Sequence, residues 1–332
     1  MTSDTSIDCG KRLGKVSLKQ FSEATQKYGL GSCVDAVPIQ AGSFKQNVLL
    51  RTDKGEWIFR GCSHYAWQFP KECFFANLIG EETTAPVPLP YFVDKSSDIF
   101  GYDYALMPKM PGGQLSNQAW AGTLSALDKK KIAFELGRFL RDLQAFPAPF
   151  FGEYDEAVDG MTSYGEAYSD EVRSRAGRFI RRANSVTVSI SDSEGGAISG
   201  MFQKHLSEVN ASQPVIVMQD YKDGNMCVAK SKGKWRVTGL FDLMEARFGH
   251  HLEDLPRQYA AYLDSQRPDL ASAFLSGYGL TDRDLGLFNC FMMIDRLLVW
   301  EYGIRVGKWC SDDETFSDWL RRYCLNAVLA FD

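Results

Sequence analysis

The chain has 332 residues, a formal net charge of -5 and 45% hydrophobic content. That length suits two lobes around a shared cleft, and the apolar fraction suffices for sizeable cores. The acidic balance argues against nucleic acid as the main partner, because phosphate backbones attract basic surfaces, and no apolar run reaches the ~18 residues of a membrane-spanning helix.

In chain order, Gly10 to Ser17 superficially suggests a phosphate loop, but the spacing of Gly10, Gly14 and Lys15 fails the GxxxxGK[ST] pattern. Gln46 to Thr52 and Glu56 to Arg60 flank Asp53-Lys54-Gly55, a strong hairpin signal. Just upstream, Ile39 to Asn47 holds a single glycine, Gly42, followed by Ser43; locally it is as much a plain turn as a phosphate-covering loop. The segment Phe69 to Gly80 has helical spacing, with Pro70 near its start and Glu72 in its first turn. After the Pro-rich stretch 85–90, a strand at Tyr102 to Met107 runs into Pro108-Lys109-Met110-Pro111-Gly112-Gly113, which reads as a linker. Asp128 to Leu143 places Ile132, Leu136, Phe139, Leu140 and Leu143 on one helical face, the pattern of a core helix. Further helices are expected at Tyr164 to Arg182, Phe202 to Val209, Leu252 to Leu263, Leu270 to Ser276, Asp282 to Tyr302 and Phe316 to Ala330, with Ser185 to Gly200 as a mobile connection.

The densest chemistry lies at Met218-Gln219-Asp220-Tyr221-Lys222-Asp223-Gly224-Asn225. The apolar run Val215 to Met218 predicts a short strand that delivers Asp220 to a loop, with Asn225 five residues later, the spacing of kinase-type catalytic loops. Met226 to Lys230 and Lys234 to Leu240, joined by Ser231-Lys232-Gly233, predict a hairpin whose ends bring Asn225 and Asp242 together. Moving a γ-phosphoryl group needs a carboxylate near the nucleophile and oxygen ligands for Mg²⁺. Taken singly, Asp220 and Asp223 are ordinary turn carboxylates and Asp242 an ordinary helix N-cap; the constellation carries the reading.

These segments resemble the kinase-like aminoglycoside phosphotransferases, most closely the hygromycin B phosphotransferase type. The family pattern His-Gly-Asp-x-x-x-x-Asn stands here as Met218-Gln219-Asp220 through Asn225, and Ile-Asp-(Phe/Trp)-x-(Glu/Asp)-Ala as Phe241-Asp242-Leu243-Met244-Glu245-Ala246. The resemblance implies an α+β, two-lobed protein-kinase-like fold, with a small antiparallel-sheet lobe at 1–107, a hinge at 108–113 and a mainly helical lobe at 114–332. It implies ATP and Mg²⁺ as cofactors, Asp220 as catalytic base or hydroxyl-orienting group, and Asn225 and Asp242 as metal ligands. Gly42, Ser43 and Asn47 would belong to the loop over the phosphates, Arg60 would hold the α and β phosphates, and Glu72 would pair with Arg60. A carboxylate favouring a helix N-terminus is the alternative for Glu72. Met107 and Lys109 would contact adenine. Two departures stand out: Met218 replaces the family's His and cannot donate the same hydrogen bond, and Lys222, the second candidate catalytic residue, sits where protein kinases carry a phosphate-directed Lys, though an exposed loop Lys is the plainer alternative.

Acidic clusters at Glu153 to Asp159, at Asp170-Glu171 and at Asp312-Asp313-Glu314 are usually solvated charge runs. Because the kinases of polyamino sugars line their acceptor cleft with carboxylates, Glu245, Asp312 and Asp313 are candidate contacts for a cationic acceptor. The expected activity is ATP-dependent phosphorylation of a small-molecule hydroxyl, an aminoglycoside or aminocyclitol such as hygromycin B. A metabolic kinase of an amino alcohol or sugar and a nucleotide-binding pseudokinase are the alternatives. No nucleic acid or membrane partner is expected, and the protein would be a monomer or homodimer. The eight cysteines form no Cys-x-x-Cys pair, and the amino terminus lacks a basic segment followed by an apolar one; both predict a cytoplasmic protein with reduced thiols.

Overall fold

A computed structural model describes residues 6–39, 46–165, 167–187, 189–307 and 314–325. The N-terminal lobe is built on a five-stranded antiparallel sheet, in spatial order Cys33–Pro38, Asn47–Thr52, Gly55–Gly61, Tyr104–Pro108 and Phe92–Asp94. Register follows the two-residue turn at Asp53 and Lys54: Thr52 faces Gly55, and Arg60 falls opposite Asn47 on one side and Ala105 on the other. Phe59 alternates to the opposite face, in a core with Phe21, Leu50 and Tyr104, where Phe21 meets it edge-on at 5.2 Å. Phe21 belongs to the helix Leu18–Lys27, whose start is fixed by a capping box between Ser17 and Gln20. The linked segments Gly10–Leu13 and Lys15–Ser17 are a one-turn helix and a short strand, so the glycines near Gly10 serve a turn.

The helix Gln68–Glu82 starts before Glu72 and extends past Gly80. Glu72 is therefore beyond its first turn and buried, so the alternative of a carboxylate at a helix N-terminus is not realised.

In the C-terminal lobe the central helix Ala126–Leu143 packs against Pro268–Tyr278. Their crossing is close because both contact positions are glycine: a Cβ on Gly137 would lie 2.0 Å from the Phe274 carbonyl oxygen, and one on Gly277 equally close to that of Phe134. A Gly137→Ala substitution is expected to cost about 1–3 kcal/mol, the usual penalty for overpacking, read as a lower denaturation midpoint. An unchanged midpoint would mean that the helices part freely.

The long helix Leu285–Val306 runs through the core with Phe288, Met292, Met293, Leu297 and Trp300 buried. No helix among the described residues is long and apolar enough to cross a membrane. Differences from expectation concentrate where composition misleads. Of the stretch 185–200, expected to be a mobile connection, the part from Asp192 onward is helical and continuous with the expected helix at Phe202 to Val209, the two forming one element, Asp192–Ala211. Its glycines suggested a loop, but Ser191 and Glu194 form a capping box, and Ile198, Phe202 and Val209 are buried. The C-terminal helix is described only over Phe316–Arg321, with 326–332 outside the described residues. A sheet of Val215–Val217, Arg247–Gly249, Gly152–Asp155 and Gly160–Ser163 leads through its first strand into the loop 218–225.

His250 and His251 stack at 4.3 Å, and His250 accepts a hydrogen bond from the Leu252 N–H at Nδ1. Among the described residues no group of three His, Cys, Asp or Glu could hold a metal ion. Burial, with His251 adding to it, pushes His250 from 6.5 down to about 3. A depressed histidine is neutral in the native state while the unfolded chain takes up a proton below its ordinary value. Stability therefore falls as pH drops below about 6.5, by about 2 kcal/mol between pH 7 and pH 5. Denaturant titrations of wild type and His250→Gln at the two pH values check this; an equal slope in both would remove His250 as the cause.

Candidate active site

The hairpin Met226–Ser231 and Lys234–Leu240 has the expected turn, with a bulge between Cys227 and Val228. Its two ends are tied by the Phe241 N–H donating to the Asn225 carbonyl at 3.1 Å, which places Asn225 and Asp242 side by side. Asp242 has φ of +66° and Gln219 of +61°, left-handed conformations uncommon for such residues, whose cost must be met by surrounding contacts. For Gln219 those contacts are clear. Its N–H donates to Asp254 Oδ1 at 2.7 Å, the Met218 N–H donates to Asp254 Oδ2 at 2.9 Å, and Arg247 donates to its side-chain carbonyl. Met218 is fully buried under the loop.

Asp220, projecting from this loop, is contacted at both oxygens. Oδ1 accepts from Arg257 at 3.0 Å; Oδ2 accepts from Lys222 at 2.6 Å and from the Asn225 amide at 3.1 Å. Asn225 Nδ2 also donates to the Asp220 carbonyl. Its Oδ1 takes no donor among the described residues, so the amide is turned with its oxygen available.

From the sheet lobe, Arg60 Nη1 lies 2.5 Å from Glu72 Oε2, and its Nη2 lies 3.3 Å from Asp242 Oδ1. Tyr91 and Gln68 donate to Glu72 at 2.9 and 3.3 Å. Burial acts against the charge of Arg60, but Glu72 and Asp242 outweigh it and raise its pKa. The sheet lobe thus presents a permanently charged guanidinium to Asp242, the carboxylate that follows the hairpin.

The remaining candidates are less concentrated. Asn47 sits beside Arg60 in the sheet. Gly42, Ser43, Asp312 and Asp313 lie outside the described residues. Met107 is buried opposite Ile58. The Lys109 N–H donates to the Glu56 carbonyl and its ammonium pairs with Glu56 at 2.6 Å, so this residue's polar groups are already engaged by the sheet. Glu245 is solvent-accessible yet closely surrounded by protein. Desolvation raises its pKa, opposed by Lys71 and Arg247 and assisted by Glu153 and Asp220. Lys71 itself crosses between lobes to Glu153 at 2.5 Å.

Sequence reasoning missed Arg257, Asp254 and Tyr91. Arg257 and Asp254 lie together in Glu253-Asp254-Leu255-Pro256-Arg257, charged residues inside an otherwise apolar helical pattern, which is a signal that a buried polar role could have been sought there. Tyr91 follows the Pro-rich stretch and carries no such mark.

The family model described as phosphotransferase enzyme family matches residues 35–287. This chain belongs to that family, and it is a phosphotransferase enzyme. No curated protein matches the sequence significantly. Solved structures similar in fold include the GDP and kanamycin complex of the aminoglycoside phosphotransferase APH(2'')-IIIa, at 17% identity and a TM-score of 0.61, covering 92% of this chain and 95% of that one. A thermostable mutant of aminoglycoside phosphotransferase APH(4)-Ia, in its apo form, aligns at 15% identity and 0.63, covering 87% and 92%. A ternary complex of an APH(4)-Ia variant with ADP and hygromycin B gives 14% and 0.59, covering 86% and 91%. At these identities the likeness fixes the two-lobed α+β, kinase-like fold of this phosphotransferase, with its antiparallel-sheet N-terminal lobe and helical C-terminal lobe.

Proposed function

We propose that the protein is an ATP-dependent O-phosphotransferase acting on a hydroxyl of a small cationic molecule, with aminoglycosides and aminocyclitols such as hygromycin B as the first candidates. The observation that carries this reading is the convergence of Asp220, Asn225 and Asp242 at the base of one hairpin, facing the Arg60–Glu72 pair. Nucleotide would lie between lobes meeting at 108–113, with Arg60 binding phosphate oxygens and Asp220 orienting the acceptor hydroxyl. Asn225 and Asp242 fit Mg²⁺: they offer an amide oxygen and a carboxylate, hard donors that suit a cation taking the rest of its shell from phosphates and water. Bound there, Mg²⁺ would neutralise charge on the phosphates.

Glu245 supports a cationic acceptor, since an accessible carboxylate with no hydrogen-bonded partner among the described residues, its pKa raised by the protein around it, is stabilised by an incoming ammonium. The pairing of Lys71 with Glu153 removes one carboxylate from that role and favours a second reading, a kinase of an amino alcohol or sugar with a single positive charge. ADP release measured over hygromycin B, kanamycin, aminocyclitols, amino alcohols and sugars, with mass analysis for an added phosphate, tests both. Polyamino sugars should give the largest stimulation. Hits confined to neutral sugars would overturn the cationic acceptor, and nucleotide binding with no turnover on any compound would indicate a pseudokinase.

A further inference from the structure

The two oxygens of Asp220 are held by cations of different kinds. Arg257, on the helix Leu255–Asp264, reaches Oδ1 at 3.0 Å, while its Nε and Nη2 each lie 2.7 Å from Asp295 Oδ1. Asp295 is buried on the helix Leu285–Val306 and also accepts from Arg296. Burial opposes the charge of Arg257, but Asp295 and Asp220 overcome it and raise its pKa. Its planar fork is therefore fixed at one end and presents one N–H to Asp220 at the other. Lys222 contacts Oδ2 from a side chain twice as exposed, 38% against 19%, on a flexible stem with a compact, strongly hydrated charge.

We propose that Arg257 is a positioning residue of the transfer step: braced by Asp295, it fixes Oδ1 of Asp220 and leaves Oδ2 as the oxygen that receives the acceptor hydroxyl. This rests on the phosphotransferase reading of Asp220. A bound triphosphate draws Lys222 away from Oδ2, whereas Arg257 stays because its other edge is anchored. The acceptor O–H then donates to Oδ2. As the acceptor oxygen forms its bond to the γ-phosphorus, the bond from that phosphorus to the β-bridging oxygen breaks; ADP leaves with the electron pair and the hydroxyl proton passes to Asp220. Aiming a carboxylate is a matter of orientation, and small misplacements of a reacting group are costly.

The test uses the full chain with Arg257→Gln, Arg257→Lys, Asp295→Asn, Asp220→Asn and the Asp220→Asn/Arg257→Gln double variant. ADP release from Mg·ATP is followed with water as acceptor and with hygromycin B and kanamycin, alongside Mg·ADP affinity by calorimetry and the thermal midpoint. Arg257→Gln should lower turnover by about 10- to 100-fold, the range for residues that orient a reacting group from behind, with ADP affinity unchanged. Arg257→Lys should recover part of the rate, and the double variant should be no slower than Asp220→Asn alone, because both act through one carboxylate. Full turnover in Arg257→Gln, or losses that multiply in the double variant, would overturn the proposal. Full turnover in Asp220→Asn would instead sink the catalytic reading beneath it. If Arg257→Gln fails to fold, Arg257→Lys and Asp295→Asn decide: wild-type rates in both refute a positioning role.

Discussion

Replacing Asp220 by Asn is expected to reduce phosphoryl transfer by roughly 10² to 10⁴, the contribution of a positioned general base, with little change in stability. Asparagine keeps the shape of the side chain and one acceptor oxygen, and Arg257 retains Asp295 as a partner. The carboxylate is only partly enclosed, at 22% side-chain exposure, so the loop does not depend on it for packing. What is lost is the charge that attracts the hydroxyl proton as the acceptor attacks. Nucleotide affinity should be preserved, because Arg60 and Asp242 stand on other elements and Asn225 keeps its hydrogen bond to the backbone carbonyl of residue 220. ADP release at saturating nucleotide, compared with calorimetric Mg·ADP binding, separates these quantities. A variant that keeps full turnover would show that the hydroxyl is oriented elsewhere, and one that loses ADP binding in proportion would show that Asp220 acts on the nucleotide.

Much of this arrangement was legible in the sequence because the signals were local. Asp53-Lys54 sets the first hairpin, and a two-residue turn fixes its register, which is what carries Arg60 to the level of Asn47. The second hairpin cancels the sequence distance between Asn225 and Asp242 in the same way. The helix through Glu72 was visible as a periodicity, and its pairing with Arg60 came from resemblance, since no local rule brings a strand and the following helix into register. Contacts formed by packing were out of reach. Arg257 meets Asp220 only because the helix Leu255–Asp264 docks beside the loop, and nothing in the spacing of 220 and 257 encodes that approach. The first half of the helix Asp192–Ala211 was hidden for the opposite reason: glycine-rich composition argued against it, while its cap and the buried Ile198 overrode propensity. The close crossing at Gly137 and Gly277 likewise becomes visible only when both helices are in place.

Asp254→Ala should be the most damaging single change to the architecture of the site, although Asp254 touches none of the proposed ligands. Its two oxygens accept the N–H groups of Met218 and Gln219 at 2.9 and 2.7 Å, and it is fully buried. Alanine would leave two buried donors without partners, at about 1–3 kcal/mol each, at the point where Gln219 holds a left-handed backbone. Such a conformation persists only while its surroundings enforce it. The family's His before the catalytic pair is absent here, and Met218 offers no side-chain donor to take over the restraint. The loop would therefore relax toward ordinary backbone angles and swing Asp220 away from Asn225 and Arg257. The expected result is a lower denaturation midpoint together with a loss of turnover comparable to that of Asp220→Asn, whereas Asp220→Asn loses turnover alone. Asp254→Asn separates the two effects: its carbonyl can still accept one N–H, so it should recover part of the stability and of the rate. If Asp254→Ala remained as stable as wild type and turned over normally, the catalytic loop would have to be held by its neighbours in the sheet, and the anchoring role given to Asp254 would fail.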